Sequence, residues 1–373
     1  MNSTMTTSLP LAVPSAGPAV SGSSFFSHHG PWALGVRVFR RLKFGAKAGL
    51  ISLAFLLPLV LLATAYLRTS QDVIDFARHE LAGVSVIAKL EPWLIEVQKQ
   101  RRLVLSGLVP RIDMEAIAAK LKPVRALVDS QPDGLDVRSE LAKVEQLHQA
   151  LQAQAASASA DALEQPMQVY VDAVRELRTT VLNRSNLTLD PDQDTYYLMS
   201  LSTDAISDVI ESISRARAIA GAMARRGSSE AAPVRALFGV WYLGHEHVGV
   251  ITQAASHAGE ANPQVRSLIK AAEAVAAAEA FYTASEKSWF GASFSADVEA
   301  LGQPGQVAVD SLRALNAQST TLLGELLQQR IDRTASARNA MLATIAVSLL
   351  VAGYLFYAFY LVMSGGLQEV SRH

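Results

Sequence analysis

Met341 to Met363, MLATIAVSLLVAGYLFYAFYLVM, is 23 residues long and carries no charge. At 1.5 Å per residue a helix of that length crosses a hydrocarbon core of about 30 Å, and few soluble folds can bury such a run on every face. A second uncharged run, Ala48 to Leu67, precedes it by some 270 residues and follows a basic stretch of Arg37, Arg40, Arg41, Lys43 and Lys47. Pro58 lies inside this first run, which a membrane helix tolerates. Two spans flanking a long polar-faced segment are therefore the frame on which the rest is read.

That frame divides the chain into a disordered, then basic cytoplasmic tail (1–47), a first transmembrane helix (48–67), an extracytoplasmic domain (68–340), a second transmembrane helix (341–363) and a ten-residue tail (364–373). The basic residues before the first span predict that the N-terminus, and hence the C-terminus, is cytoplasmic. Arg330, Arg333 and Arg338 on the outer side of the second span oppose that orientation, but long translocated domains weaken the rule and the first span usually dominates. Ala63-Thr64-Ala65 has the form of a signal-peptidase site. Cleavage there would make an unusually long leader, so an uncleaved anchor is expected.

Between the spans the pattern is helical throughout. Ala, Leu, Glu, Gln and Arg dominate, aromatic residues make up 7%, and no alternating strand pattern is present. Apolar residues recur at 3-4 spacing along Ile87, Leu90, Leu94, Val97, along Val137, Leu141, Val144, His148, Leu151, and along Leu312, Leu315, Ser319, Leu322, Leu326. Pro92 interrupts the first of these and predicts a kink or restart. Breaks are expected near Pro110, 131–134, 155–160, Asp190-Pro191, 226–229, 259–263 and 302–305. The fold class predicted is all-α, two transmembrane helices around an elongated domain of two four-helix bundles stacked end to end. The last helix runs on from about Gln306 through the second span.

The most distinctive local sequence is SNLTLDPDQDTYYLM, Ser185 to Met199. Asp190 fits a helix N-cap and Pro191 the first helical position, with Asp192 and Asp194 in the first turn. Asp190, Asp192 and Asp194 also match the first ligands of a calcium loop, but Thr195 and Leu201 stand where that loop needs Gly and Glu. Tyr196 and Tyr197 are expected to pack on a neighbouring helix. Asn183 and Asn186 begin glycosylation sequons, which matter only in a eukaryotic secretory pathway.

Two arginines continue apolar seams. Steps of 3 and 4 from Val97 reach Arg101, and from Ile206, Ile210 and Ile213 they reach Arg217, whereas Arg215 follows the polar row Asp204, Asp208, Ser212. Inward guanidiniums either pair with an internal acid or clamp a small anion such as a carboxylate. Both readings stay open for Arg101 and Arg217. His148 reads as a hydrogen-bonded core residue, and His245 and His247 lack a metal-binding spacing. With no Cys, no nucleophile-base set, no phosphate-cradling loop and a net charge of -1, neither an enzyme, a metal or other cofactor, nor a nucleic-acid partner is indicated.

The plan of tail, span, helical domain and span, with SNLTLDPDQDTYYLM within it, resembles the sensory half of bacterial methyl-accepting chemotaxis proteins. The outer domain is similar to nitrate- and nitrite-sensing or helical bimodular domains. Their Q-x-H-R-G-L-S stretch is matched by Gln98, Arg101 and Leu103, while Gln100, Arg102 and Val104 depart. Arg217, in SRARAIAGAM, stands where the family usually has an arginine, and GGLQEVSRH resembles the opening of a HAMP linker. The resemblance implies a homodimeric inner-membrane receptor, without the downstream signalling domain, in which Arg101 and Arg217 contact a small periplasmic ligand. A sensor kinase or cyclic-dinucleotide enzyme would share such a module, and a membrane-anchored scaffold for a protein partner is the alternative of a different class.

Overall fold

The computed structural model describes residues 32–130, 135–227, 230–291 and 301–370. The expected tail up to residue 31, the turn at 131–134, part of the 226–229 break and the last three residues lie outside them. The fold is all-α, with no strand among the described residues: α1 (Trp32–Arg41), α2 (Phe44–Leu105), α3 (Met114–Ser130), α4 (Arg138–Ala155), α5 (Ala160–Arg184), α6 (Gln193–Met199), α7 (Ile206–Arg226), α8 (Ala231–Ala261), α9 (Pro263–Leu268), α10 (Ala271–Trp289) and α11 (Gly302–Val370). A 3-10 turn (Leu187–Leu189) precedes α6, and a π-helical turn (Ser200–Ala205) joins α6 to α7.

Backbone contacts separate two units, Met1–Tyr66 with Val347–His373, and Leu67–Ala346. In the first, the apolar side chains of α2 and α11 stand almost wholly exposed, among them Phe55, Leu62, Leu350, Tyr354 and Val362. Two helices are thus long and apolar enough to cross a membrane. Contiguous apolar surface of this extent is what lipid covers and water does not.

The second unit is built from two sets of four helices. In one, α2, α3, α4 and α5 surround Trp93, whose indole N–H donates to the Tyr170 hydroxyl at 3.1 Å. His148 Nδ1 lies 3.0 Å from the same oxygen. Burial pushes the His148 pKa down, so this histidine is a neutral core residue. The other set comprises α6–α7, α8, α10 and α11, where the Trp241 indole reaches Ser285 and the Tyr282 hydroxyl reaches Ser212.

The two sets lie side by side rather than end to end, because α7 follows α5 and α2 along its length. Asp208 meets Arg175, Glu211 meets Gln98 and Arg101, and Arg225 meets Asp161 and the Leu105 carbonyl. α7 is consequently buried almost all round from Ile206 to Met223. The row Asp204, Asp208, Ser212 is open to solvent at Asp204 and closes onto neighbouring helices further along. Ser212 donates to the Val240 carbonyl of α8 at 2.7 Å, and Asp208 pairs across to α5.

The seams on α2, α4 and α11 are buried as their spacing requires. Pro92 does not break α2. It is exposed, and so is Ala88, whose carbonyl it deprives of a partner, so water can satisfy that group. Leu108, which further steps of 3 and 4 from Arg101 would place on the same seam, is exposed because α2 ends at Leu105. α11 starts at Gly302, within the expected 302–305 break and four residues before Gln306.

Close packing of α8 on α7 depends on Gly244. A Cβ there would run into Ser212 and the Tyr282 hydroxyl, whereas one at Gly239 on the same helix meets nothing within 4 Å. Chemical unfolding of the full chain in detergent should show Gly244→Ala losing about 1–3 kcal/mol. Gly239→Ala, which only raises helix propensity, should gain up to about 1 kcal/mol.

Candidate anion site

Arg101 stands three and four residues beyond Gln98 and Val97 on α2, so the seam carries it into the interior, where it is 1% exposed. A bare guanidinium there would be prohibitive. Glu211 of α7 supplies the countercharge in a fork: Arg101 Nη1 to Oε1 at 2.7 Å and Nη2 to Oε2 at 3.0 Å. Gln98 also donates to Glu211 Oε2 at 2.9 Å, and Arg101 Nη1 donates to Gln168 Oε1 of α5 at 2.8 Å. Arg101 Nε has no acceptor among the described residues.

Arg101, Gln168 and Leu105 line a pocket of about 300 Å³ with Arg215, Glu164 and Arg226. The charges nearly cancel. Arg101 is matched by Glu211, and Arg226 by Asp161 and Glu164. Arg215 has no ion pair or hydrogen bond among the described residues, and because Arg225 shares Asp161 with Arg226, four guanidiniums here meet three carboxylates, an excess of one positive charge. That combination suits a small anion held by a planar, multidentate donor set.

Arg101 and Arg217 do not converge. Six residues separate Glu211 from Arg217 on α7, which turns Arg217 toward the start of α11. There its Nη2 donates to the Gly302 carbonyl at 2.9 Å, and its side chain packs where a Cβ on Gly305 would fall. Burial and the neighbouring Arg102 and Arg313 pull its pKa down to about 10, so it remains charged at neutral pH. The basic residue that the structure sets beside Arg101 is Arg215, placed on a polar row by sequence spacing. Glu211 was not singled out at all. The one signal for it is that it flanks Ile210 on the α7 seam, and on a helix buried all round flanking positions are interior as well.

The SNLTLDPDQDTYYLM residues form a different arrangement. Asn186 adopts a left-handed backbone, φ 64°, which asparagine tolerates, and starts the 3-10 turn. α6 begins at Gln193 with Asp192 in the N-cap position, two residues later than expected, because Asp190 instead accepts from the Asp192 N–H across Pro191. Asp190 and Asp192 both reach Arg330 of α11, at 2.8 Å each, while Asp194 Oδ2 accepts from Asn262 at 2.7 Å. These carboxylates are committed to a guanidinium and an amide rather than converging as a calcium loop. Tyr197 packs on His257 of α8 with ring centroids 4.9 Å apart, and Tyr196 is partly exposed.

No protein-family model, curated protein or solved structure matched this chain.

Removing one member of the Arg101–Glu211 pair strands the other. Glu211→Ala should cost about 3–5 kcal/mol in chemical unfolding, and Arg101→Met with Glu211→Leu together should cost less than either single change.

Proposed function

We propose that this chain is the sensory part of a chemoreceptor-type transmembrane signal transducer, detecting a small anion on the outer side of a bacterial inner membrane. In this reading both termini are cytoplasmic, residues 68–340 are periplasmic and the working form is a homodimer. The observation that carries it is the pocket between α5, α7 and α8, where Arg215, a guanidinium with no partner among the described residues, lines the same wall as Arg101 and Gln168. An anion bound there would neutralise the excess charge. It would also bear on α7, the helix by which the second four-helix set packs against the first.

A bound state that favours one packing of α7 over another shifts the equilibrium between them, which is the physical content of sensing. The output helix would be α11, which is continuous from Gly302 to Val370. Neither Arg102 nor Arg217 lines the pocket, so the ligand contact passes from the Arg101/Arg217 pair to Arg101 with Arg215. The same module would serve a sensor kinase or a cyclic-dinucleotide enzyme equally well. One observation favours a protein-binding scaffold instead: Phe238, Tyr242 and Leu243 of α8 are all well exposed.

Thermal unfolding of the detergent-solubilised full chain, in separate titrations with nitrate, acetate and malonate against chloride, tests the sensing reading. A binding anion should stabilise by about 2.7 kcal/mol at a hundredfold excess over its Kd. Arg215→Ala should abolish that gain while leaving the unliganded melting temperature close to wild type, since Arg215 has no partner to strand. A flat response to all three anions, or a gain that survives Arg215→Ala, overturns the assignment.

A further inference from the structure

The distinctive motif has a second consequence, independent of anion binding. Arg330 of α11 faces three carboxylates: its Nη1 donates to Glu80 Oε2 at 2.9 Å, Nη2 to Asp190 Oδ1 at 2.8 Å, and Nε lies 2.8 Å from Asp192 Oδ2. Nη2 also reaches Thr195 Oγ1 at 2.7 Å. The Glu80 and Asp190 side chains are wholly out of solvent, while that of Asp192 is about half exposed at 52%. One guanidinium therefore confronts two buried acids and one hydrated acid, an excess of two negative charges if all are ionised. Glu80 Oε1 and Asp190 Oδ2 are also buried with no donor among the described residues. Two acceptors without a donor, on two carboxylates gripping one arginine, lack a hydrogen.

We propose that the Arg330 clasp is a proton-binding site, in which Glu80, set against Asp190, carries a proton at neutral pH and releases it in alkaline medium. The proton gives one orphan oxygen a donor and halves the excess charge. The charged groups that face Glu80 are Asp190 and Asp192 from the motif and Arg330 from α11, while its own helix turns Ile74, Ala77 and Val84 inward beside it. Burial, reinforced by Asp190, pushes Glu80 up to about 8, with Arg330 acting in the opposite direction. Desolvation thus outweighs the ion pair, as expected when one cation is shared among three anions.

The clasp sits where its state matters. Beyond it along the second unit, α2 and α11 are held together by the small cluster Ile74, Ala77 and Ile331, with Leu81 and Ala335 against it, and by Arg338 donating to Gln71. Gly83 brings α2 against Ser185 and Leu187 at the start of the motif, so α2, the motif and α11 meet at one level. Loss of the proton sets two buried carboxylates against each other there and loosens the grip on α11. The linkage sign follows. Glu80 is raised in the folded chain, so its stabilising contribution is complete below its unfolded pKa of about 4.5 and is lost as pH rises through about 8.

Infrared titration of the full chain in detergent reads the proton directly through the C=O stretch of a protonated carboxyl. Wild type should show such a band at about pH 6 that disappears with a midpoint near 8. Glu91 and Asp204 are also raised by burial, so the wild-type minus Glu80→Gln difference isolates the band. Asp190→Asn should keep the band but move its midpoint to lower pH, because the charge that reinforces protonation is gone. The variant also decides the matter if Glu80→Gln fails to fold. Equal wild-type and Glu80→Gln titrations, or an unmoved midpoint in Asp190→Asn, would overturn the proposal.

Discussion

The second unit is organised by the requirement that a fully buried guanidinium be neutralised where it stands. Arg101 cannot reach water from a position that is 1% exposed. Glu211 must therefore approach to hydrogen-bonding distance, and both oxygens are used, so α2 and α7 are locked in register as well as in contact. Gln168 then fixes α5 to the same point. Three helices that hydrophobic burial alone would let slide are pinned by one side chain, because apolar packing is non-directional and a forked ion pair is not.

The interior contains further cations, and each is handled differently according to what lies nearby. Arg217 has a carbonyl in place of a carboxylate and two neighbouring guanidiniums, and its proton affinity falls accordingly. Arg178 donates to Ser207, with Glu91 the strongest compensating charge. Arg330 is oversupplied with acids, and there the strain passes to the carboxylates. The same element of chemistry thus yields a rigid pin at Arg101 and a titratable clasp at Arg330. What differs is the ratio of buried anions to cations.

Much of the helical frame could be read from periodicity, because α2, α4 and α11 each present one apolar stripe to one side. Arg101 was legible as an interior residue by the same rule. α7 was not, because it touches α2, α5, α8 and α11 in turn. Its faces carry Ser, Ala and Gly that look polar or neutral in a sequence and are all buried. Side-by-side packing follows from that helix, and no single seam predicts it. Partner choice was equally hidden: Glu211 and Glu80 find their arginines 110 and 250 residues away, distances at which spacing carries no information.

The motif at 185–199 shows how a correct local reading can stop short of the structural role. Asp190, Pro191 and Asp192 carry the sequence pattern of a helix opening, and a helix does open there. Their placement makes them more than a cap, because the Asp190 carboxyl has turned back across Pro191 to its own chain and also forward to α11. A cap alone would need one acceptor near the helix start. Two acids flanking a rigid proline, with Thr195 one turn on, supply a preformed cup for a guanidinium arriving from far along the chain. The acidity that suits a helix N-terminus is thus also what brings Glu80 and Asp190 into competition for a single arginine, and so what makes this junction sensitive to protons.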